Sequence, residues 1–238
     1  MKIEFLLGEK ILLSTKYIKL ITKKDFVKII IKKEDIKFAD FQFGKILNRE
    51  LDIRICFKSF KSEYIFNISD VLFKTNEVIL LGVHVDSLYL YDQGYIDNFK
   101  LLTDKKEKIN WYQLNKKQKY YYLRGCYFLG GLKKTIENRK PAVVVDLSNV
   151  KIDLDVYYEL GKAFFKSYGY FGTELDSFVD CLINISKSIK NEKHVFILKI
   201  KGYENFKKNF SDNILSEIFY EKFTNIGFKI EIQNDFKK

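Results

Sequence analysis

The stretch AVVVDLSNVKIDLDVYYELGKAFF, residues Ala142–Phe165, opens with a short continuous apolar run and then changes period. AVVVDL is expected to be a strand covered on both faces. In DVYYELGKAFFKSYG the apolar residues Val156, Leu160, Ala163 and Phe164 recur at helical spacing, so a helix follows. Beyond it the same alternation continues. A helix ends near Ser188, HVFILKI reads as a strand, YENFKKN and SDNILSEIFYEKFTNIG as helices, and FKIEI as a last strand, with Gly227 in the place of a C-cap glycine. The order β-α-α-β-α-α-β predicts an α/β domain over 141–238, built on a small three-stranded parallel sheet flanked by helices.

Upstream the period is two. In LDIRICF, Leu51, Ile53, Ile55 and Phe57 alternate with Asp52, Arg54 and Cys56, the pattern of a half-buried strand. EYIFNI, EVILLGVHV and SLYLY continue it, with KSFKSE and YDQG as turns. INWYQLNKKQKYYYLRGCYFL, Ile109 to Leu129, reads as a helix. The only proline, Pro141, closes the glycine-led stretch GGLKKTIENRK and marks the domain boundary. Residues 1–135 are thus expected to form an α+β domain, mainly antiparallel β, as a twisted sheet or small barrel.

At 238 residues and 47% hydrophobic content the chain can bury ordinary cores. No apolar run long enough to cross a membrane and no signal peptide is legible, which predicts a cytoplasmic protein without membrane association. Cys56, Cys126 and Cys181 are odd in number and far apart, and only His84 and His194 accompany them. Buried thiols and strand histidines are expected rather than disulfides or a zinc site. The net charge is +11, all of it in residues 1–140, while residues 141–238 are neutral. Such a basic half favours nucleic acid or an acidic partner, yet only four of the 42 basic residues are arginine, the usual residue for bidentate phosphate contacts. No phosphate-loop, dinucleotide-binding, nucleophile-elbow or HExxH motif occurs, and no cofactor or catalytic residue is assigned.

Within this neutral half, YFGTELDSFVDCL, Tyr170–Leu182, carries the most specific chemistry. On a helical wheel with Leu175 at zero, Phe178, Val179, Leu182, Ile185 and Ile189 fall within about 80° and form a core face. Asp176 at about 100° and Asp180 at about 140° turn away from it together. Thr173 is placed to be the N-cap, with Asp176 as the third residue of a capping box. That accounts for Glu174 and Asp176 better than for Asp180. Two like charges one turn apart cost a few tenths of a kcal/mol unless something offsets them.

The run from Tyr170 to Leu182, with the elements on either side of it, resembles the barstar family of intracellular ribonuclease inhibitors. The family signature is an aromatic pair, a glycine, and a helix reading Asn/Asp-Leu-Asp-x-Leu-Trp-Asp. The resemblance covers Ala142 to Gln233 and none of the first 140 residues. It implies an immunity or antitoxin protein that occludes the active site of a cognate nuclease toxin in a 1:1 complex, and is not itself an enzyme. Asp180 would imitate the substrate phosphate, Asp176 would be its partner on the same face, and Tyr170 would pack on a catalytic histidine. The implied partner surface is Tyr170, Phe171, Gly172, Glu174, Asp176, Val179, Asp180, Asn184 and Glu221. Val179 stands where the family has tryptophan, Glu174 where it has asparagine, and Lys222, beside Glu221, where it has a further acid.

A second reading makes the basic half the working part, with the barstar-like domain as a docking module. NKKQKYYYLRG, where bases interleave with aromatics, would then track a phosphate backbone and stack on bases. Residues 1–140 do not choose between orienting the inhibitor domain, widening its interface, homo-oligomer formation and recognition of a second part of the toxin.

Overall fold

The computed structural model describes residues 2–23, 26–39, 47–57, 60–84, 93–103, 109–130, 142–166, 168–189, 195–210 and 214–233. The chain divides into two compact units, Met1–Asn110 and Trp111–Lys238. Among the described residues no helix is long and apolar enough to cross a membrane.

The first unit holds strands β1 (Lys2–Leu7), β2 (Lys10–Thr15), β3 (Lys19–Lys23), β4 (Phe26–Lys32), β5 (Ile36–Ala39), β6 (Glu50–Phe57), β7 (Phe60–Phe73) and β8 (Glu77–His84), then helix α1 (Gln93–Thr103). All eight strands pair antiparallel in one sheet, in the order β3-β4-β8-β7-β6-β1-β2-β5. The expected alternation in β6 is present. Leu51, Ile53 and Ile55 are buried, and Ile53 and Ile55 lie opposite the buried Phe5 and Ile3 of β1. Of KSFKSE, expected as a turn, Phe60–Glu63 pair with Arg54–Phe57 and belong to β7, while residues 58–59 lie outside the described residues. SLYLY lies outside the described residues. Where YDQG was expected to turn, Gln93 instead opens α1.

The side chain of Gln93 ties that helix to the sheet edge. It accepts the backbone N–H of Leu20 on β3 and donates to the Tyr17 hydroxyl at 2.8 Å, while Tyr17 donates to Asp97 at 2.8 Å. Burial first, and Asp97 second, push the Tyr17 hydroxyl from its ordinary 10.0 up to about 12. An acid whose pKa rises on folding contributes stability that is fully present below pH 10 and is lost as the pH climbs towards 12. Tyr17→Phe should therefore flatten the alkaline fall in stability of the first unit, read from urea melts by circular dichroism across that window. An identical fall in both proteins would show that Tyr17 carries none of it.

The second unit contains a 3₁₀ turn (Trp111–Gln113), α2 (Lys116–Gly130), β9 (Ala142–Asp146), α3 (Asp153–Phe165), α4 (Leu175–Ile189), β10 (Phe196–Lys201), α5 (Tyr203–Asn209), α6 (Ile214–Asn225) and β11 (Phe228–Gln233). From β9 onward this is the expected β-α-α-β-α-α-β order, and the sheet is parallel, β11-β10-β9. Gly227, two residues past α6, takes φ +104, as a C-cap glycine should. One expectation needs correction. Val143 and Val145 are buried, but Val144 is 48% exposed, so β9 is covered on one face only. Its register partner Lys199 and the next strand's Glu231 continue that open face, joined by an ion pair at 3.8 Å.

The covered face carries an aromatic core. Phe164 lies 5.0 Å from Phe171 and 5.9 Å from Phe223, and Phe178 is stacked on Phe219 at 6.5 Å. Pro141 lies outside the described residues, and α2, read with the first domain, is part of the second unit. It starts at Lys116 rather than Ile109 because Asn115 and Gln118 cap it reciprocally, each side-chain oxygen accepting the other's backbone N–H at 3.0 Å.

Candidate partner-binding face of helix α4

The chain enters α4 through Gly172, whose φ of +111 suits glycine. This turn points Thr173 inward, 8% exposed, and its Oγ1 has no hydrogen-bond partner among the described residues. Thr173 is therefore not the cap. Ser177 replaces it: its hydroxyl accepts the N–H groups of Thr173 at 2.9 Å and Glu174 at 3.1 Å and donates to the Glu174 carbonyl at 2.9 Å. Sequence spacing offered a signal for this, since Ser177 stands three residues after Glu174, where a capping box places its second member.

Beyond the cap the helix is two-faced. Phe178, Cys181, Leu182, Ile185 and Ile189 are buried. Asp176, Asp180, Ile183 and Lys187 form the exposed stripe, and Ile183 is 45% exposed. Among the described residues neither the Asp176 nor the Asp180 carboxylate has a hydrogen bond or ion pair. Val179 and Asn184 are half-buried beside the stripe, and Asn184 Nδ2 donates to the Asp180 carbonyl at 3.1 Å. Glu174 is exposed at the head of the helix. Glu221, on the outer face of α6, is exposed and accepts Asn225 Nδ2 at 3.2 Å, whereas Lys222 is half-buried.

Three residues of the expected surface are internal. Phe171 is fully buried in the aromatic core, Gly172 is buried, and Tyr170 is 4% exposed. The Tyr170 ring lies 5.0 Å from Tyr127 of α2, the helix that the sequence reading placed in the other domain. Burial pushes its hydroxyl pKa up. The side chains of Tyr170 and Phe171 are packed inside the unit, and Gly172 makes the turn that leads into α4.

Cys181 is buried and its thiol is pushed up to about 12, chiefly by burial and then by Asp180, so it is held as a neutral thiol. Cys126 is also buried, but Cys56 is half-buried, with its Sγ 3.6 Å from Glu4 Oε2. His84 ends β8, and His194 lies outside the described residues. No three His, Cys, Asp or Glu side chains among the described residues gather as a metal site. Comparison of the chain with protein-family models, curated proteins and solved structures finds no match.

Proposed function

We propose that the chain is an immunity-type protein that binds a nuclease and fills its phosphate-holding cleft with the carboxylates of Asp176 and Asp180. The observation that carries this is the pair itself: two exposed carboxylates one turn apart, without a cation of their own among the described residues, on a helix whose opposite face is locked into an aromatic core. A site built from Arg, Lys and His to hold a phosphodiester accepts a carboxylate by the same charge-assisted hydrogen bonds. A rigid helix presents the pair with little ordering cost on binding. The β-α-α-β-α-α-β order around a parallel sheet agrees with the barstar-like resemblance of this unit. Ile183, exposed beside Asp180, supplies the apolar neighbour that Val179, half-buried where the family carries tryptophan, does not.

The test is affinity capture from host extract on the full chain, followed by ribonuclease and deoxyribonuclease assays of the captured protein with and without the chain. Inhibition at 1:1 stoichiometry is expected. Asp180→Ala and Asp176→Ala should each weaken it at least tenfold, about 1.4 kcal/mol. Because both side chains are exposed, the fold should change by less than about 0.5 kcal/mol. Undiminished inhibition by the double variant, or a captured partner without nuclease activity, would exclude this mechanism.

A further inference from the structure

Within NKKQKYYYLRG, Lys119 is buried on Asp155 and Tyr121 is 8% exposed, so neither joins the basic, aromatic track that a nucleic-acid backbone would need. The basic half offers a different surface, on the sheet of the first unit.

In β4, Val27, Ile29 and Ile31 are buried and form the core face. Phe26, Lys28 and Ile30 point to the opposite face, because side chains alternate along a strand. The register continues this outer face across β8 and β7 in three rows. Phe26 lies beside Val83 and Asn67, Lys28 beside Leu81 and Asp70, and Ile30 beside Ile79 and Leu72. Phe26 and Val83 are 43% exposed and Leu72 is 41% exposed, and Ile21 of β3, beside Lys28, is 43% exposed. Large apolar groups gathered on one face, rather than scattered, mark an interaction surface. Lys28 and Asp70 flank Leu81 from opposite sides, two strand spacings or about 9.5 Å apart. Among the described residues neither takes part in an ion pair.

The pattern is self-complementary. β4 and β7 are the two neighbours of β8. A two-fold axis laid along β8, between two copies stacked face to face, keeps each row at its height and exchanges β4 with β7. Leu81 then meets Leu81, and Val83 meets Val83. Lys28 of each copy faces Asp70 of the other, and Ile30 faces Leu72. The first row extends one strand further on each side, to the exposed Lys23 of β3 and the exposed Glu50 of β6, and the same axis brings these opposite charges together. Only Phe26 against Asn67 sets an apolar side chain on a polar one. Stacked sheets keep their strands within about 30° of each other, as this axis requires. One cation and one anion placed evenly about β8 suit a second copy better than a partner of a single charge sign.

We propose that this face joins two copies of the chain in a two-fold dimer, with β4, β8 and β7 of the two sheets stacked and Lys28 paired with Asp70 twice across the axis. The patch is small, so the dimer dissociates in the micromolar range.

Sedimentation equilibrium of the full chain over about 1–200 μM tests the assignment. The mass should rise from 28.3 kDa towards twice that value. Val83→Glu puts like charges on the axis at an exposed position, and should weaken association at least tenfold with an unchanged urea melt. Lys28→Glu sets acid against acid and Asp70→Lys base against base, and each should also weaken it at least tenfold. Combined in one chain, the two exchanges restore opposite charges, and association should return to within about threefold of the native chain. A mass of 28.3 kDa at every concentration overturns the proposal. So does a dimer that Val83→Glu leaves intact, since it would be joined elsewhere. A folded double variant that does not recover refutes the Lys28–Asp70 pairing and the axis with it; if its urea melt shows it unfolded, the Val83→Glu result decides.

Discussion

Replacing Asp155 by alanine should cost the second unit about 3–5 kcal/mol, the range for breaking a buried ion pair from one side. The carboxylate is fully buried and satisfies four donors at once. Trp111 Nε1 reaches it at 2.8 Å, Lys119 Nζ at 2.7 Å, and the backbone N–H groups of Lys151 and Ile152 at 2.9 and 3.2 Å. It therefore caps α3 and anchors both the 3₁₀ turn and α2 to it. Alanine would leave the Lys119 ammonium, whose side chain is only 9% exposed, without its counter-charge, and would orphan the indole N–H and two backbone donors. Trp111 is the only tryptophan and stacks on Tyr158 at 4.2 Å, so its fluorescence in a urea titration reports on this unit. Adding Lys119→Met to Asp155→Ala should recover part of the loss, because an apolar side chain does not need the missing charge. An unchanged urea midpoint for Asp155→Ala would mean that the network contributes nothing.

Gly169→Ala should be comparably severe, costing more than about 3 kcal/mol. A Cβ at Gly169 would sit 1.9 Å from the Gly161 carbonyl oxygen, and one at Gly161 would sit 2.3 Å from that of Gly169. Backbone faces backbone here, so no side chain can rotate out of the way. Gly161→Ala should fail for the same reason, and the double variant should cost less than the sum, since either substitution already forces the segments apart. Gly8→Ala is the control. It also changes a glycine, but in open space, and should cost only the left-handed backbone penalty of about 1–2 kcal/mol. Thermal melts of the four proteins distinguish the cases, and a Gly169→Ala melt close to that of Gly8→Ala would refute the close-packing account.

Local patterns made much of this architecture legible. The alternation through Leu51, Ile53 and Ile55 is set by the pleat of one strand, and the outward turn of Asp176 and Asp180 by the pitch of one helix; both follow from residues a few positions apart. What was not legible depended on distant segments. A continuous run such as AVVVD satisfies a strand with one open face as well as one covered twice, and only the number of layers decides between them. Tyr170 and Phe171 read as surface aromatics because nothing near them in sequence announces that Tyr127 covers one and Phe164 and Phe223 enclose the other. The cap assignment failed for a subtler reason. Thr173 and Ser177 are both chemically able to serve the start of α4, and the backbone turn at Gly172 selects Ser177.

The contact between Tyr127 and Tyr170 also bears on modularity. An excision beginning at residue 142 would remove the ring that shields Tyr170, together with the lysine and tryptophan that complete the Asp155 cluster. What can be transplanted into another chain as one piece is Trp111 to Lys238: α2 is an integral wall of the unit that holds the parallel sheet, not a tether that leads to it.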